Sequence, residues 1–220
     1  MRDYQFDSEV LFKFSESSPY SQIPSSHRSL KDYLDKTQRE LNFPAIKDDI
    51  GQLIRLLIML NRPKTIFEMG SGFGHSCFWY IVDQLESISQ IYLTETRKDL
   101  FQYYSQANWP DFSQQKVKYF NEDAFEVLKK VEDKIDFVLI DGVKGDYLEF
   151  LLKAEKKLST GAIVLIDNSY WRGSFLDKEI RESKKSAKNI FDLHENIKNN
   201  SSFTSVFLPF KDGLSVLVKN

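Results

Sequence analysis

Two short apolar segments in the second half of the chain nearly repeat each other, and each ends in an aspartate. Residues 137–141 read FVLID and residues 163–167 read IVLID. An uninterrupted apolar run of this length is typical of a strand inside a parallel sheet, where both faces of the sheet are covered. Ligands bind at the carboxyl ends of the strands in such sheets, so we expect Asp141, Asp167 and the following Asn168 to lie close together at one edge.

Two carboxylates and one amide at this edge form a set of oxygen ligands that suits a hard divalent cation. Mg²⁺ fits this set best, and Ca²⁺ or Mn²⁺ are the alternatives. Lys144 follows Asp141 by three residues. Beside a bound cation the pKa of Lys144 should fall, so that this residue can act as a general base. Each feature also has a plainer interpretation: Asp141 in a turn, Asp167 and Asn168 in a helix cap, and Lys144 as an exposed lysine.

The middle of the chain alternates between strand and helix patterns, which indicates a parallel α/β sheet. The last third predicts a charged helix and then an antiparallel hairpin, and Gly161 is placed to end the helix before the fifth strand. Residues 1–45 are predicted to form an N-terminal arm or cap, and residues 46–220 the main domain. The predicted strands are 65–69, 91–94, 117–120, 135–140, 162–166, 204–208 and 214–219, and the charged helix covers 177–197.

A glycine-rich segment, residues 67–76 (FEMGSGFGHS), follows the first predicted strand and opens a helix. Glycines at such a place allow a tight turn and a close approach of the backbone to a ligand. The spacing is G-x-G-x-G, which differs from the dinucleotide pattern G-x-G-x-x-G. Glu68 stands two residues before the first glycine and would repel a pyrophosphate, but it would attract a cofactor with an ammonium and a sulfonium group. His75 is interpreted as a loop residue or a residue at the cofactor's edge.

Glu95 ends the second predicted strand, 25 positions after Gly70. An acid at this place can accept hydrogen bonds from both hydroxyls of a ribose. Glu68 and Glu95 together favour an adenosine cofactor, and Glu68 favours S-adenosyl-L-methionine over NAD.

Composition narrows the class of protein further. The net charge of -2 gives no overall attraction to nucleic acid or to an anionic membrane surface. No run approaches the roughly 18 apolar residues of a membrane span, and the acidic N-terminus lacks the apolar stretch of a signal peptide. The single cysteine, Cys77, excludes an internal disulfide and a cysteine-based zinc site. We therefore expect a cytoplasmic protein.

Taken together, these motifs resemble the cation-dependent class I O-methyltransferases, the family of the catechol and caffeoyl-CoA O-methyltransferases and their bacterial relatives. The resemblance runs from about Leu30 to the C-terminus. The segments that carry it are 50–53 (IGQL), 67–76 (FEMGSGFGHS), 122–128 (EDAFEVL), 137–147 (FVLIDGVKGDY), 166–173 (IDNSYWRG) and 208–214 (LPFKDGL).

The resemblance implies a doubly wound, Rossmann-like sheet of seven strands with an antiparallel last strand, and commonly a homodimer. It implies contacts to S-adenosyl-L-methionine by Ile46, Glu68, Gly70, Ser71, Ser76, Glu95, Ala124 and Asp141, with Ile46 at the methionine end. It also implies that Asp141, Asp167 and Asn168 hold the metal and that Lys144 is the base.

The predicted reaction is methyl transfer to one hydroxyl of a catechol-like small molecule, whose two oxygens would bind the cation. One alternative keeps the chemistry but takes a hydroxylated tRNA nucleoside as the acceptor, which the basic residues Arg181, Lys184, Lys185 and Lys188 favour. An alternative of another class is a nicotinamide-dependent dehydrogenase on the same kind of sheet.

Overall fold

The computed structural model describes residues 23–209 and 212–220. Residues 1–22 of the predicted arm lie outside the described residues. The strands are β1 (Thr65–Met69), β2 (Gln90–Thr94), β3 (Val117–Phe120), β4 (Ile135–Ile140), β5 (Leu158–Asp167), β6 (Phe203–Leu208) and β7 (Leu214–Lys219). The α-helices are α1 (Arg28–Leu41), α2 (Asp48–Asn61), α3 (Cys77–Ile81), α4 (Phe101–Gln106), α5 (Asp111–Lys116), α6 (Ala124–Lys130), α7 (Tyr147–Glu155), α8 (Lys178–Ser183) and α9 (Lys185–Asn199). Short 3₁₀ segments are Ser25–His27, Lys98–Leu100, Lys144–Asp146 and Trp171–Leu176.

The strands form one mixed sheet in the order β3-β2-β1-β4-β5-β7-β6. Strands β1 to β5 pair in parallel, and β7 runs antiparallel to both of its neighbours. The chain winds outward from β1 to β3 and then returns to the other side of β1 with β4, so the direction of winding switches between β1 and β4. Ligands bind at such a switch point in open α/β sheets. The predicted doubly wound sheet with an antiparallel C-terminal hairpin is confirmed.

The two near-repeats lie side by side in register. Phe137 pairs with Ile163, and Ile140 pairs with Ile166. Asp141 and Asp167 therefore leave neighbouring parallel strands at the same level, on the carboxyl edge of the sheet. This adjacency is what the repeated sequence pattern predicted.

Both faces of the central strands are covered, which explains why these strands are apolar throughout. Leu139 and Leu165 face a core built with α1, α2 and α3, whereas Val138 and Val164 face a core built with α6, α7 and α9. All four side chains are fully buried. Each contributes on the order of 2 kcal/mol to the hydrophobic stabilisation of the sheet.

Helix α1 docks onto the first of these cores through Leu30 and Leu34, which are buried against α2 and α3. The helix ends at Asn42, whose left-handed backbone redirects the chain. Residues 43–47 then link α1 to α2 across the carboxyl edge of the sheet. This short linker forms part of the wall of the site described below.

Two expectations about helix boundaries are wrong. The charged helix predicted over 177–197 is divided into α8 and α9, because the backbone of Lys184 is extended. Of these two helices only α9 carries buried residues (Ala187, Ile190, Leu193 and Ile197), and it packs on the core beside β4 and β5. Gly161 does not end a helix: α7 ends at Glu155, and Gly161 lies inside β5. Within the described ranges the helices are too short or too polar to cross a bilayer.

Candidate active site

The glycine turn after β1 touches the end of β4. Gly70 has a φ of +89°, and a Cβ atom at this position would lie 2.5 Å from the backbone oxygen of Asp141. The backbone N–H of Asp141 in turn donates to the carbonyl of Met69 at 2.9 Å. Only a glycine tolerates both the backbone angle and the close approach. The turn is thereby held directly against Asp141.

Strand β2 supports the same turn from the other side. The backbone N–H groups of Gly70 and Ser71 donate to the carbonyl of Thr94 at 3.1 and 2.9 Å. The Glu95 carboxylate accepts from the backbone N–H of Gly72 through Oε2 at 3.0 Å and from that of Arg97 through Oε1 at 2.8 Å. Glu95 is therefore fixed in position beside the turn, and its carboxylate retains unused acceptor capacity.

Glu68 is a buried acid beneath the turn, with 1% of its surface exposed. Its Oε1 accepts a short hydrogen bond from the hydroxyl of Ser76. Its Oε2 is buried and has no hydrogen-bond partner among the described residues. Burial raises the pKa of Glu68 to about 7. Such a carboxyl is arranged to accept from a positively charged donor on a ligand, which would also favour its ionised form.

Lys144, Asp141, Asp167 and Asn168 come together at the ends of β4 and β5. The Lys144 ammonium donates to Asn168 Oδ1 at 2.8 Å and lies 3.9 Å from Asp141 Oδ1. Burial and the charge of Asp167 raise the pKa of Asp141 well above its usual range. Burial also raises the pKa of Asp167, although the backbone N–H of Asn168 donates to its carboxylate at 2.8 Å. The positive charge of Lys144 acts in the opposite direction and lowers the pKa of both carboxyls.

The donor set at this edge fits a hard divalent cation. Two carboxylates and the Asn168 amide oxygen are hard ligands of the kind that Mg²⁺ and Ca²⁺ take, with the remaining positions left to water or to substrate oxygens. Burial and the charge of Asp167 raise the pKa of Asp141, and burial raises the pKa of Asp167, so both carboxyls lie where a nearby positive charge would favour their ionised forms. Across residues 23–209 and 212–220 there is no cluster of three or more Asp, Glu, His or Cys side chains of the kind that binds metals. Asn168, the third predicted ligand, contributes an amide rather than one of these side chains.

A cavity at the carboxyl edge of β1, β2 and β4 collects most of the predicted site residues. Its lining residues are Phe43, Pro44, Ala45, Ile46, Glu68, Gly70, Ser71, His75, Ser76, Glu95, Asp141, Gly142, Lys144 and Asn168. Ala124 and Asp167 are the predicted site residues that do not line it. Ala124 begins α6, where Asp123 Oδ1 accepts from the backbone N–H of Phe125 at 2.8 Å.

A second cavity lies beside the first and shares one wall with it. Asp167, Asn168 and Asp212 form one side of this second cavity, and Lys47 and Gln38 belong to the other. Residues 43–46 and Asn168 line both cavities. Ligands bound in the two cavities would thus meet at Asn168, beside the other candidate metal ligands.

Several lining residues were missed by the reasoning from sequence. Phe43, Pro44 and Ala45 belong to a linker whose only readable signal is the turn-forming Asn42 and Pro44 between two helical patterns. Asp212 was assigned to a hairpin turn. It reaches the site because its carbonyl accepts from the backbone N–H groups of Tyr170 and Trp171, at 2.6 and 3.0 Å. These contacts join distant parts of the chain, and no local pattern encodes them.

Comparison with known proteins bears on what this site does. Residues 18–220 match the family model described as O-methyltransferase. The chain is 26% identical to the flavonoid 3',5'-methyltransferase of Vitis vinifera over 184 residues, covering 79% of this chain and 77% of that protein. It is 21% identical to caffeoyl-CoA O-methyltransferase 5 of Nicotiana tabacum over 220 residues, covering 95% of this chain and 90% of that protein.

A solved structure shows the same fold. The O-methyltransferase TomG of Streptomyces achromogenes, involved in tomaymycin synthesis and determined in complex with SAM, superposes with a TM-score of 0.78 at 19% identity. The match covers 100% of this chain and 99% of that one. The family resemblance stated from the sequence motifs is confirmed, and the chain belongs to the O-methyltransferase family.

Proposed function

We propose that this protein transfers a methyl group from S-adenosyl-L-methionine to a hydroxyl of a catechol-like small molecule, with the help of a divalent cation. The observation that supports this most directly is the pair of adjoining cavities at the carboxyl edge of the sheet. One is lined by Glu68 and Glu95, the other by Asp167, and Asn168 lines both.

The first cavity suits the methyl donor because its acids match the donor's groups. Glu95 can accept from the ribose hydroxyls, and the unpartnered Oε2 of Glu68 can accept from the ammonium. Ile46, Ser71 and Ser76 line the same cavity. Ala124, at the start of α6, is proposed to contact the cofactor from outside this lining set.

The second cavity is proposed to receive the acceptor. Asp141, Asp167 and Asn168 would hold the cation at the boundary between the two cavities. When bound, the cofactor supplies a methyl group on a sulfonium, and the cation lowers the pKa of an acceptor hydroxyl as it does that of bound water.

The residues of the chain itself then position the reactants and move one proton. Lys144 lies at the boundary of the cavities and is proposed to take the proton of the acceptor hydroxyl at Nζ. The glycine turn and the linker 43–46 fix the approach of the two ligands, so much of the rate enhancement comes from positioning and electrostatics.

The test is an assay with labelled S-adenosyl-L-methionine and a panel of catechols and catechol thioesters, with Mg²⁺ and with excess EDTA. We expect transfer to vicinal dihydroxy aromatics that is lost with EDTA. Full activity in EDTA would refute the metal role. Failure of the purified protein to bind S-adenosyl-L-methionine would refute the whole proposal.

One alternative function is a nicotinamide-dependent dehydrogenase. Membership of the O-methyltransferase family favours methyl transfer over the hydride transfer of a dehydrogenase.

The alternative of a tRNA nucleoside acceptor depends on four basic residues, and two of these form contacts within the protein. Arg181 donates to the carbonyl of Phe175 at 3.0 Å, and Lys185 lies 3.3 Å from Asp146. We therefore place the small-molecule acceptor first, and the same assay with hydroxylated RNA distinguishes the two.

A further inference from the structure

A histidine of the glycine turn is tied to the N-terminal helix. His75 is buried, with 4% of its surface exposed, and its Nε2 lies 3.0 Å from Asp35 Oδ1 on α1. Lys31 donates to both oxygens of the same carboxylate at 2.7 Å. Although burial opposes it, hydrogen bonds from His75 and Lys31 hold the pKa of Asp35 below its usual value. Asp35 is thus an ionised acceptor, so Nε2 of His75 carries the hydrogen.

Among the residues that the structure describes, the other ring nitrogen of His75 has no such use. Nδ1 is buried and has no hydrogen-bond partner among the described residues. His75 lines the first cavity next to Ser76 and near Glu68 and Ile46. A buried, unpartnered polar atom is costly unless a ligand satisfies it. Nδ1 is the atom of this ring through which His75 can bind a ligand.

The charges that line the cavity indicate which ligand group this atom meets. Glu68, Glu95 and Asp141 are acids, suited to the ammonium, sulfonium and hydroxyl groups of the cofactor. Lys144 is a cation, but its ammonium donates to Asn168 near Asp141. The carboxylate of the cofactor's amino-acid end still needs a donor, and Ser76 already donates to Glu68.

We propose, on the basis of the proposed function, that His75 binds the carboxylate at the amino-acid end of S-adenosyl-L-methionine through Nδ1–H. Asp35 holds the ring from the other side. This contact requires a hydrogen on Nδ1 as well as on Nε2, so that the ring would lie between two carboxylates, one of the protein and one of the cofactor. The contact is a charge-assisted hydrogen bond of the kind that is shorter and stronger than a neutral one.

The same contact links cofactor binding to the N-terminal part of the chain. Lys31 also pairs with Asp48 at 2.9 Å, where α2 begins. The charged side chains of Asp48, Lys31 and Asp35 therefore connect α1 to α2, the helices on either side of the linker 43–47. Through His75 they also connect these helices to the glycine turn. A cofactor held by His75 would stabilise this linker, which is also a wall of the second cavity.

The experiment compares two ligands that differ only in the carboxylate: S-adenosyl-L-methionine and its decarboxylated form, measured by calorimetry. His75→Asn should weaken binding of the first by about 10- to 100-fold and leave binding of the second unchanged. Asp35→Asn keeps the ring in place and should give a smaller loss with the same selectivity. His27→Asn is the matched control, because His27 is equally buried but hydrogen-bonds to Ser26 and Gln84 outside the cavity.

The outcomes separate the proposals. Equal weakening of both ligands by His75→Asn and by Asp35→Asn would mean a structural role for the pair and would overturn the inference. Unchanged binding of S-adenosyl-L-methionine in His75→Asn would overturn it as well. In both cases the proposed function would stand, since the unmodified protein binds the cofactor. If the unmodified protein bound neither ligand, the proposed function would fail, and this inference with it.

Discussion

Lys144 is the side chain on which the proposed chemistry depends most directly. Replacing it by methionine keeps its length but removes both the base and the positive charge beside Asp141 and Asn168. We expect kcat to fall by about 10²- to 10⁴-fold, the usual contribution of a positioned base. Steady-state kinetics with labelled cofactor measure it. Lys153→Met, on the exposed face of α7, is the control and should retain activity, and comparable activity in both variants would contradict the role of Lys144.

Glu68 makes stability depend on pH. Burial raises the pKa of Glu68 to about 7, from an ordinary value of 4.5. At low pH the group is protonated in both the folded and the unfolded chain. As pH rises, the unfolded chain releases its proton first, so the folded state loses stability until pH passes the folded pKa. Relative to Glu68→Gln, the unfolding free energy of the unmodified protein should fall by on the order of 3 kcal/mol between about pH 5 and pH 8.

Urea denaturation of the cofactor-free protein at the two pH values measures this difference. Glu149→Gln is a suitable control. Glu149 is exposed, and the hydrogen bond from Lys153 lowers its pKa, so Glu149 does not titrate between pH 5 and pH 8. A difference between unmodified protein and Glu68→Gln that stays constant with pH would show that Glu68 ionises normally in the fold.

The turn between β1 and α3 holds the site together because it brings two strand ends into contact. Gly70→Ala would place a Cβ atom 2.5 Å from the Asp141 backbone oxygen at a left-handed φ. Gly161→Ala has a similar φ of +80° but meets nothing within 4 Å. We expect Gly161→Ala to cost about 1–2 kcal/mol from the backbone alone. Gly70→Ala should cost clearly more and should abolish cofactor binding, as denaturation and calorimetry would show. Equal costs would mean that the contact with β4 is unimportant.

Strands and helices were not equally predictable. Strands β1, β3, β4 and β7 begin and end where the sequence patterns placed them, because glycine or polar residues flank each of these short, mainly apolar runs. The division of the charged helix at Lys184 was missed, since an extended residue between two helical patterns has no signature of its own. Gly161 was misplaced because glycine ends helices and also fits inside a strand with a positive φ.

A bound cation should stabilise the whole molecule by linkage. At a Mg²⁺ concentration about 100-fold above its Kd, the free energy of unfolding should rise by about 2.7 kcal/mol. Thermal denaturation with Mg²⁺ and with EDTA would show a higher Tm with the metal. Asp167→Ala should remove this shift, whereas the exposed Glu149→Ala should retain it. A metal-dependent shift of equal size in Asp167→Ala would exclude Asp167 as a ligand.

The homodimer implied by the family resemblance also concerns the whole molecule and remains a prediction. Strand β6 lies at the edge of the sheet and exposes Val206 and Phe207, and α2 exposes Leu60. Exposed apolar side chains of this kind are found at interfaces between subunits. Sedimentation equilibrium should give twice the chain mass of 25.8 kDa, and a single-chain mass at micromolar concentration would contradict the dimer.

The sequence was sufficient for the features that depend on periodicity and on strand ends. The repeated apolar strands, the glycine turn and the acids at or just after the ends of β1, β2, β4 and β5 are local patterns, and parallel pairing necessarily brings these strand ends to one edge. The shared wall at residues 43–46, the approach of Asp212 and the pairing of Asp35 with His75 had no such signal. They depend on how helices and loops distant in sequence dock on the sheet, which is decided by side-chain packing across the whole core.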